Sequence, residues 1–209
     1  RGIPSASVTV IPDQPIRLEM AAAPARLITA AMALAKPGVG TVVAVTGPVG
    51  AGKSTLARTL SGCVLSTDDY LPDYDLLPYQ ERDLPERMDA ALLLENLGDL
   101  RNGRSARVPV WSFQSHRREG YREVAPEALI VCEGIHALFA PLARAADIRV
   151  FVDAAPQTRW CRWERLEASG ERGWGVERAR AFFHEVAEPT YAARADQYRA
   201  AAHFLVVNE

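Results

Sequence analysis

The stretch Gly47-Pro48-Val49-Gly50-Ala51-Gly52-Lys53-Ser54, with Thr55 behind it, limits the fold more than any other part of this 209-residue chain. It fits G-x-x-x-x-G-K-[ST], and its flanks are the ones that pattern needs. Thr41-Val42-Val43-Ala44-Val45-Thr46 reads as a buried β-strand, and Ser54 to Leu60 as the opening turns of a helix. Strand, glycine loop and helix in that order make a phosphate cradle. The glycines let successive N–H groups turn inward, and the helix end adds a positive field. Gly47, Gly50, Ala51, Gly52, Lys53, Ser54 and Thr55 are therefore the candidate contacts to nucleotide phosphates. Lys53 would reach the β- and γ-phosphates, and the Ser54 hydroxyl would ligate Mg²⁺. An ordinary glycine-rich turn is the alternative, and the strand and helix on either side weigh against it.

A chain of this length suits one domain with a substantial core. Hydrophobic residues make up 48% and charged residues 24%, as in soluble globular proteins. The formal net charge of -2 supplies no basic field for phosphate backbones, so no nucleic-acid partner is expected. No apolar run is long enough to span a bilayer, and no membrane association is expected either. The Ala-rich run from Met20 to Ala35 carries Arg26 inside it and leads straight into the first strand, so it reads as a helix of the domain. Cys63, Cys132 and Cys161 lie far apart, with no metal-ligand or disulfide spacing, which predicts a reducing, cytoplasmic setting. Residues 1–19 hold three prolines and read as an N-terminal extension, with Ser7–Ile11 as a candidate short edge strand.

Further apolar runs continue the alternation of strand and helix. Gly62–Thr67, Ala128–Cys132, Ile148–Val152 and Phe204–Val207 join Thr41–Thr46 to predict an α/β fold with a parallel sheet of about five strands and helices on both faces. Leu71 to Pro85 is Pro- and Tyr-rich and reads as an exposed functional loop. Glu86 to Arg101 has helical spacing, and Arg107–Trp111 with Tyr121–Val124 suggests a small hairpin around Ser112–Gly120. Ligands of such sheets lie at the carboxyl ends of the strands, where Asp68, Glu133 and Asp153 fall.

These residues suggest chemistry beyond phosphate binding. Glu133 follows an apolar strand and suits a second Mg²⁺ ligand, direct or through water; capping a following helix is the alternative. Asp68 can orient or deprotonate a hydroxyl near the γ-phosphate. Asp69 points elsewhere if the backbone is extended; a pair that caps a turn is the alternative, and both readings stand. Arg159, Arg162 and Arg165 form one face of a predicted helix, either a solvated face or a mobile cover over the nucleotide. Trp111, Phe113 and His116 suit a planar or sugar-like ligand, or else a small satellite core.

Taken in order, these motifs resemble the uridine kinase and phosphoribulokinase-like group of P-loop kinases, over about residues 40–209. Thr67-Asp68-Asp69-Tyr70-Leu71 resembles the group's acidic segment, whose first Asp is its catalytic base. Asp83-Leu84-Pro85-Glu86-Arg87-Met88-Asp89 resembles uridine kinase's D-H-P-D-A-F-D, whose leading Asp contacts ribose hydroxyls. Arg107 to His116 is similar to the base-holding V-P-x-Y-D-F-x-x-H, and Cys132-Glu133-Gly134-Ile135-His136-Ala137-Leu138 to x-E-G-I-x-A-L.

The resemblance implies a single P-loop NTPase-type kinase domain over residues 1–209, with a substrate-binding insertion at 69–125 and a lid at 159–175. It implies ATP and Mg²⁺ as cofactors and a small-molecule acceptor as partner. On this reading Asp68, Lys53, Arg162 and Arg165 are catalytic, and Arg159 joins the loop in binding the nucleotide. Asp83, Trp111, Phe113 and His116 hold substrate, while Ser54 and Glu133 hold the metal. A homo-oligomer is left open.

Leu84 stands where uridine kinase has His, Trp111-Ser112 replaces Tyr-Asp, and Phe182 takes the place of a ligand-contacting glutamine. Pantothenate, glycerate, sugars and phosphoribulose are acceptors elsewhere in the group, and the acceptor stays open among these and nucleosides. A nucleotide-dependent switch or assembly protein is the reading from another class; the N-K-x-D motif of GTP-specific switches is missing.

Overall fold

The computed structural model describes residue 11 and residues 14–209. The Ser7–Ile11 strand expected from sequence falls on residues that, but for Ile11, lie outside those described. The chain starts with β1 (Ile16–Glu19) and α1 (Ala23–Leu34), then β2 (Thr41–Thr46) and α2 (Lys53–Leu60) flanking the glycine loop, and β3 (Val64–Ser66). Four short 3₁₀ turns (67–70, 74–76, 79–81 and 85–87) lead to α3 (Ala90–Arg101). The hairpin β4 (Ala106–Ser112) and β5 (Arg117–Val124) follows, then β6 (Leu129–Glu133), α4 (Ala140–Ala145), β7 (Ile148–Asp153) and α5 (Pro156–Ala168). After α6 (Val176–Phe182) and a π turn (Phe183–Ala187), α7 (Glu188–Ala201) and β8 (Phe204–Val207) close the chain.

The main sheet has six strands rather than about five, ordered β1-β8-β7-β2-β6-β3, every pair parallel. The additional strand is β1, inside the stretch expected to be an extension. Ile16 and Leu18 turn inward while Arg17 and Glu19 stay in solvent, and four residues at an edge give too short an alternation to stand out. All six residues of β2 are buried. Val42 and Ala44 enter the core on one sheet face, Val43 and Val45 the core on the other, which is the two-sided burial of a parallel central strand. Helix α1 covers one face with Ala23, Leu27, Ala30 and Ala31, at helical spacing, and ends before Pro37.

Three other expectations change. The segment Leu71–Pro85 is not an exposed loop: Tyr74 and Asp83 are buried within it. The helix read from Glu86 begins at Ala90, because Asp89 caps it by accepting from the Leu92 amide at 3.1 Å. The hairpin strands extend further into the polar segment, leaving a turn of only 113–116, in which His116 takes a left-handed φ of 55°.

Candidate active site

Strands β2 and β6 lie in register with Val45 opposite Glu133, and β3 sets Ser66 opposite the same residue. The parallel sheet therefore delivers the glycine loop, Glu133 and the turn after β3 to one edge. Gly47, Gly50 and Gly52 all have positive φ, at 153°, 76° and 101°. A Cβ on Gly50 would come within 2.5 Å of the Arg159 carbonyl oxygen, so the loop rests directly on α5. At Gly134 (φ 154°) a Cβ would lie 1.7 Å from Thr67 Oγ1. Only glycine lets Glu133 sit against the turn that carries Asp68.

A cavity of about 490 Å³ opens at this edge. Its glycine-loop end is lined by Gly50, Gly52, Lys53, Ser54 and Thr55, with Glu133 beside them. Of the loop residues expected to contact phosphate, Gly47 and Ala51 are outside the lining: Gly47 packs on Val152, and the Ala51 carbonyl accepts from Asn208 Nδ2 at 2.7 Å. Lys53 Nζ donates to the Pro48 carbonyl at 3.0 Å. Burial pulls its pKa down, and the carboxylates of Glu133 and Asp68 pull it back up. Ser54 Oγ donates to Glu133 Oε1 at 3.1 Å. That hydroxyl–carboxylate pair, beside a loop of inward-facing amides, fits a Mg²⁺ ion that takes its remaining ligands from phosphates and water. Among the described residues no group of three His, Cys, Asp or Glu side chains forms a cage for a metal without such help. Glu133 caps no helix, since α4 begins only at Ala140 and has no side-chain cap.

Asp68 and Asp83 line the same cavity. The chain around Asp68 is a 3₁₀ turn, not extended, yet Asp69 does point away: its Oδ1 accepts from the Trp111 amide at 3.1 Å, tying the hairpin to the sheet. Burial raises Asp68's pKa, countered by Lys53 and Arg172. Tyr74 Oη donates to Asp83 Oδ1 at 2.9 Å. Burial above all, with Asp68 adding to it, pushes the Asp83 carboxyl up to about 7.

Trp111, Phe113 and His116 line the cavity and also belong to an aromatic cluster, so the two readings of these residues coexist. His116 stacks on Trp174 at 4.3 Å with an 8° interplanar angle. Burial and the arginines around it lower its pKa to about 4.

The three helical arginines divide. Arg162 and Arg165 line the cavity, with Arg162 Nη1 donating to the Gly50 carbonyl at 3.1 Å. Arg159 does not face it: its guanidinium is buried and donates to Glu188 at 2.5 and 2.7 Å and to the Ala154 carbonyl at 3.0 Å. It braces the loop from behind rather than meeting nucleotide. Asp153 is likewise occupied, paired with Arg199 at 2.9 Å.

Sequence reasoning passed over Tyr74, Trp163 and Trp174 as lining residues, and over Arg172 as the lid cation beside Asp68. They come from the 71–85 segment and from the lid, where no periodicity marks them. The lid is docked on the hairpin turn: the Gly173 amide donates to the Phe113 carbonyl at 3.1 Å, and Arg172 sits 4.1 Å over the Phe113 ring. Glu167 anchors its other end, accepting from Trp163 Nε1 and from the amides of Trp174 and Gly175 at 3.0, 3.2 and 2.9 Å.

The sequence pattern of the Phosphoribulokinase / Uridine kinase family matches residues 79–204. The chain belongs to this family of ATP-dependent kinases. A uridine kinase of Ligilactobacillus salivarius is 30% identical over 171 residues, 71% of this chain and 80% of that one. One of Staphylococcus haemolyticus is 30% identical over 165 residues, 72% and 79% of the two chains. An Arabidopsis thaliana protein named inorganic pyrophosphatase TTM2 is 37% identical over 118 residues, but the match spans 53% of this chain and only 17% of that much longer one. Among solved structures, a protein from Silicibacter sp. TM1040, provisionally given as a fructose transport system kinase, aligns with a TM-score of 0.68 at 20% identity, covering 90% of this chain and 98% of its own. A Bacillus stearothermophilus protein provisionally given as a uridine kinase aligns at 0.52 and 18%, covering 88% and 95%. At those identities the structural likeness speaks for the fold. Among the described residues no helix is long and apolar enough to cross a membrane.

Proposed function

We propose that the protein uses ATP and Mg²⁺ to phosphorylate a hydroxyl of a small metabolite, nucleoside-like or sugar-like. The observation that carries this reading is that the phosphate-binding residues Lys53 and Ser54 line the same cavity as the carboxylates Asp68 and Asp83. A donor site and an acceptor site then share one cavity, which brings the two reacting groups together for direct transfer.

In this reading the loop amides and Lys53 hold the β- and γ-phosphates, and Ser54 and Glu133 hold Mg²⁺. The ion, when bound, offsets phosphate charge that builds as the γ-phosphoryl group leaves. Asp68 accepts the proton of the attacking hydroxyl, and its raised pKa brings it closer to working pH. Arg162, Arg165 and Arg172 supply cations where the transferred charge spreads. Asp83 takes a hydrogen bond from acceptor hydroxyls, while Trp111 and Phe113 offer flat faces to a ring and His116, stacked on Trp174, closes that wall of the cavity. A reducing, cytoplasmic setting belongs to the same proposal and is supported by three free cysteines.

Uridine itself is one candidate, supported by the named relatives. Acceptors without a base are the second reading. They are favoured because Trp111 carries no acceptor group for a base edge and His116 is occupied by stacking on Trp174. An ATP-consumption screen against nucleosides, pantothenate, glycerate and simple sugars tests the proposal. One class should raise turnover well above background; acceptor-independent hydrolysis alone would point to the switch reading.

A further inference from the structure

A second crevice, of about 230 Å³, lies at the seam where three segments meet. The 71–85 segment contributes Arg82, the hairpin turn leads into Arg117, and the lid and α6 contribute Trp174 and Arg178. It shares Tyr74, His116 and Trp174 with the main cavity, so these rings form the wall between the two.

Its charge is unbalanced. Three guanidinium groups face one carboxylate, that of Asp75, which is paired with Arg117 at 2.7 Å. Among the described residues neither Arg82 nor Arg178 forms an ion pair. Arg82 is held 5.4 Å from the ring centroids of both Tyr74 and Tyr79, and its Nε is buried with no hydrogen-bond partner. Arg178 lies 5.3 Å over the Trp174 ring. A buried donor left unpaired costs about 1–3 kcal/mol, more when charged, so an acceptor bound in the crevice would offset that cost. Burial above all, with Arg178, Arg172 and Arg82 adding to it, holds the His116 pKa down at about 4.

We propose that this crevice binds a compact oxyanion, a phosphate or carboxylate group, between Arg82, Arg117 and Arg178. Arginine forks suit such groups through paired, charge-assisted hydrogen bonds. Because the site takes Trp174 from the lid while its cations come from three segments, an anion there favours the docked lid over an open one. The oxyanion is either a distal group on the acceptor or a separate small anion. Its link to the acceptor rests on the kinase reading; the anion site itself does not.

Inorganic phosphate is the probe, titrated by calorimetry into protein carrying Lys53→Ala so that the glycine loop contributes little. The expected result is one site, weakened at least tenfold by adding Arg178→Gln and, separately, Arg82→Gln. Arg178 is exposed, so its replacement keeps the test valid even if loss of Arg82 from its tyrosine stack disturbs folding. Phosphate binding absent, or unchanged by Arg178→Gln in folded protein, overturns the proposal. With unmodified enzyme, phosphate competing with the acceptor identifies the anion as the acceptor's own group. A change in turnover without competition identifies a separate ligand. If phosphate binds as expected but no acceptor is ever turned over, the kinase reading falls and the anion site stands.

Discussion

Replacing Asp83 by Asn should change how the stability of the free protein depends on pH, and the sign can be worked out. Asp83 is buried in the cavity lining, and its pKa is raised from 3.8 to about 7. Between about pH 4 and pH 7 the folded protein keeps a proton on this carboxyl that the unfolded chain has released. Stability therefore falls as pH rises through that window, and is flat in this group above and below it. The full shift corresponds to about 4 kcal/mol at 1.36 kcal/mol per pH unit. Water entering the cavity and relaxation of Asp68 reduce that, so about 2–4 kcal/mol is expected. Asn keeps the shape and can still accept from Tyr74 Oη, so the comparison isolates the charge. Urea unfolding at pH 4.5 and 7.5 gives the difference for each protein. The wild type should lose about 2–4 kcal/mol more than Asp83→Asn over that range. Parallel profiles would refute the claim that Asp83 is held protonated by burial.

Three further outcomes follow from the packing. Gly134→Ala should cost about 3 kcal/mol or more, because it combines a glycine-only backbone with a Cβ 1.7 Å from Thr67 Oγ1; an unfolding midpoint within error of wild type would contradict this. Glu188→Gln leaves the buried Arg159 guanidinium without its carboxylate and should destabilise by about 2–4 kcal/mol, read by chemical denaturation. Glu167→Ala removes three acceptor bonds at the base of the lid and should speed proteolytic cleavage within 169–175 at least tenfold, while the far side of the sheet stays protected.

The sheet was largely legible because buried parallel strands are apolar runs of fixed length. Thr41–Thr46 and Phe204–Val207 match their predicted bounds, and Ile148 to Val152 runs one residue further, to Asp153. The edge strand Ile16–Glu19 was not legible, since its four residues have a partner only once β8 is in place. At the candidate site, the loop and Glu133 announce themselves through glycines and an acid at a strand end. Tyr74, Trp174 and Arg172 do not, because their position depends on the lid meeting the hairpin turn, a contact between stretches nearly 60 residues apart or more. Arg159 illustrates the converse: a spacing of three puts it on the face of Arg162 and Arg165, yet Glu188, arriving from α7, takes its guanidinium away.

The central claim is that donor and acceptor meet over Asp68. It is tested most directly by measuring acceptor-dependent phosphoryl transfer and ATP affinity side by side in wild type and Asp68→Asn. The account predicts that transfer falls by at least about a hundredfold, some 2.7 kcal/mol of lost transition-state stabilisation, while ATP affinity stays within about threefold. Transfer at the wild-type rate in the folded variant would contradict it.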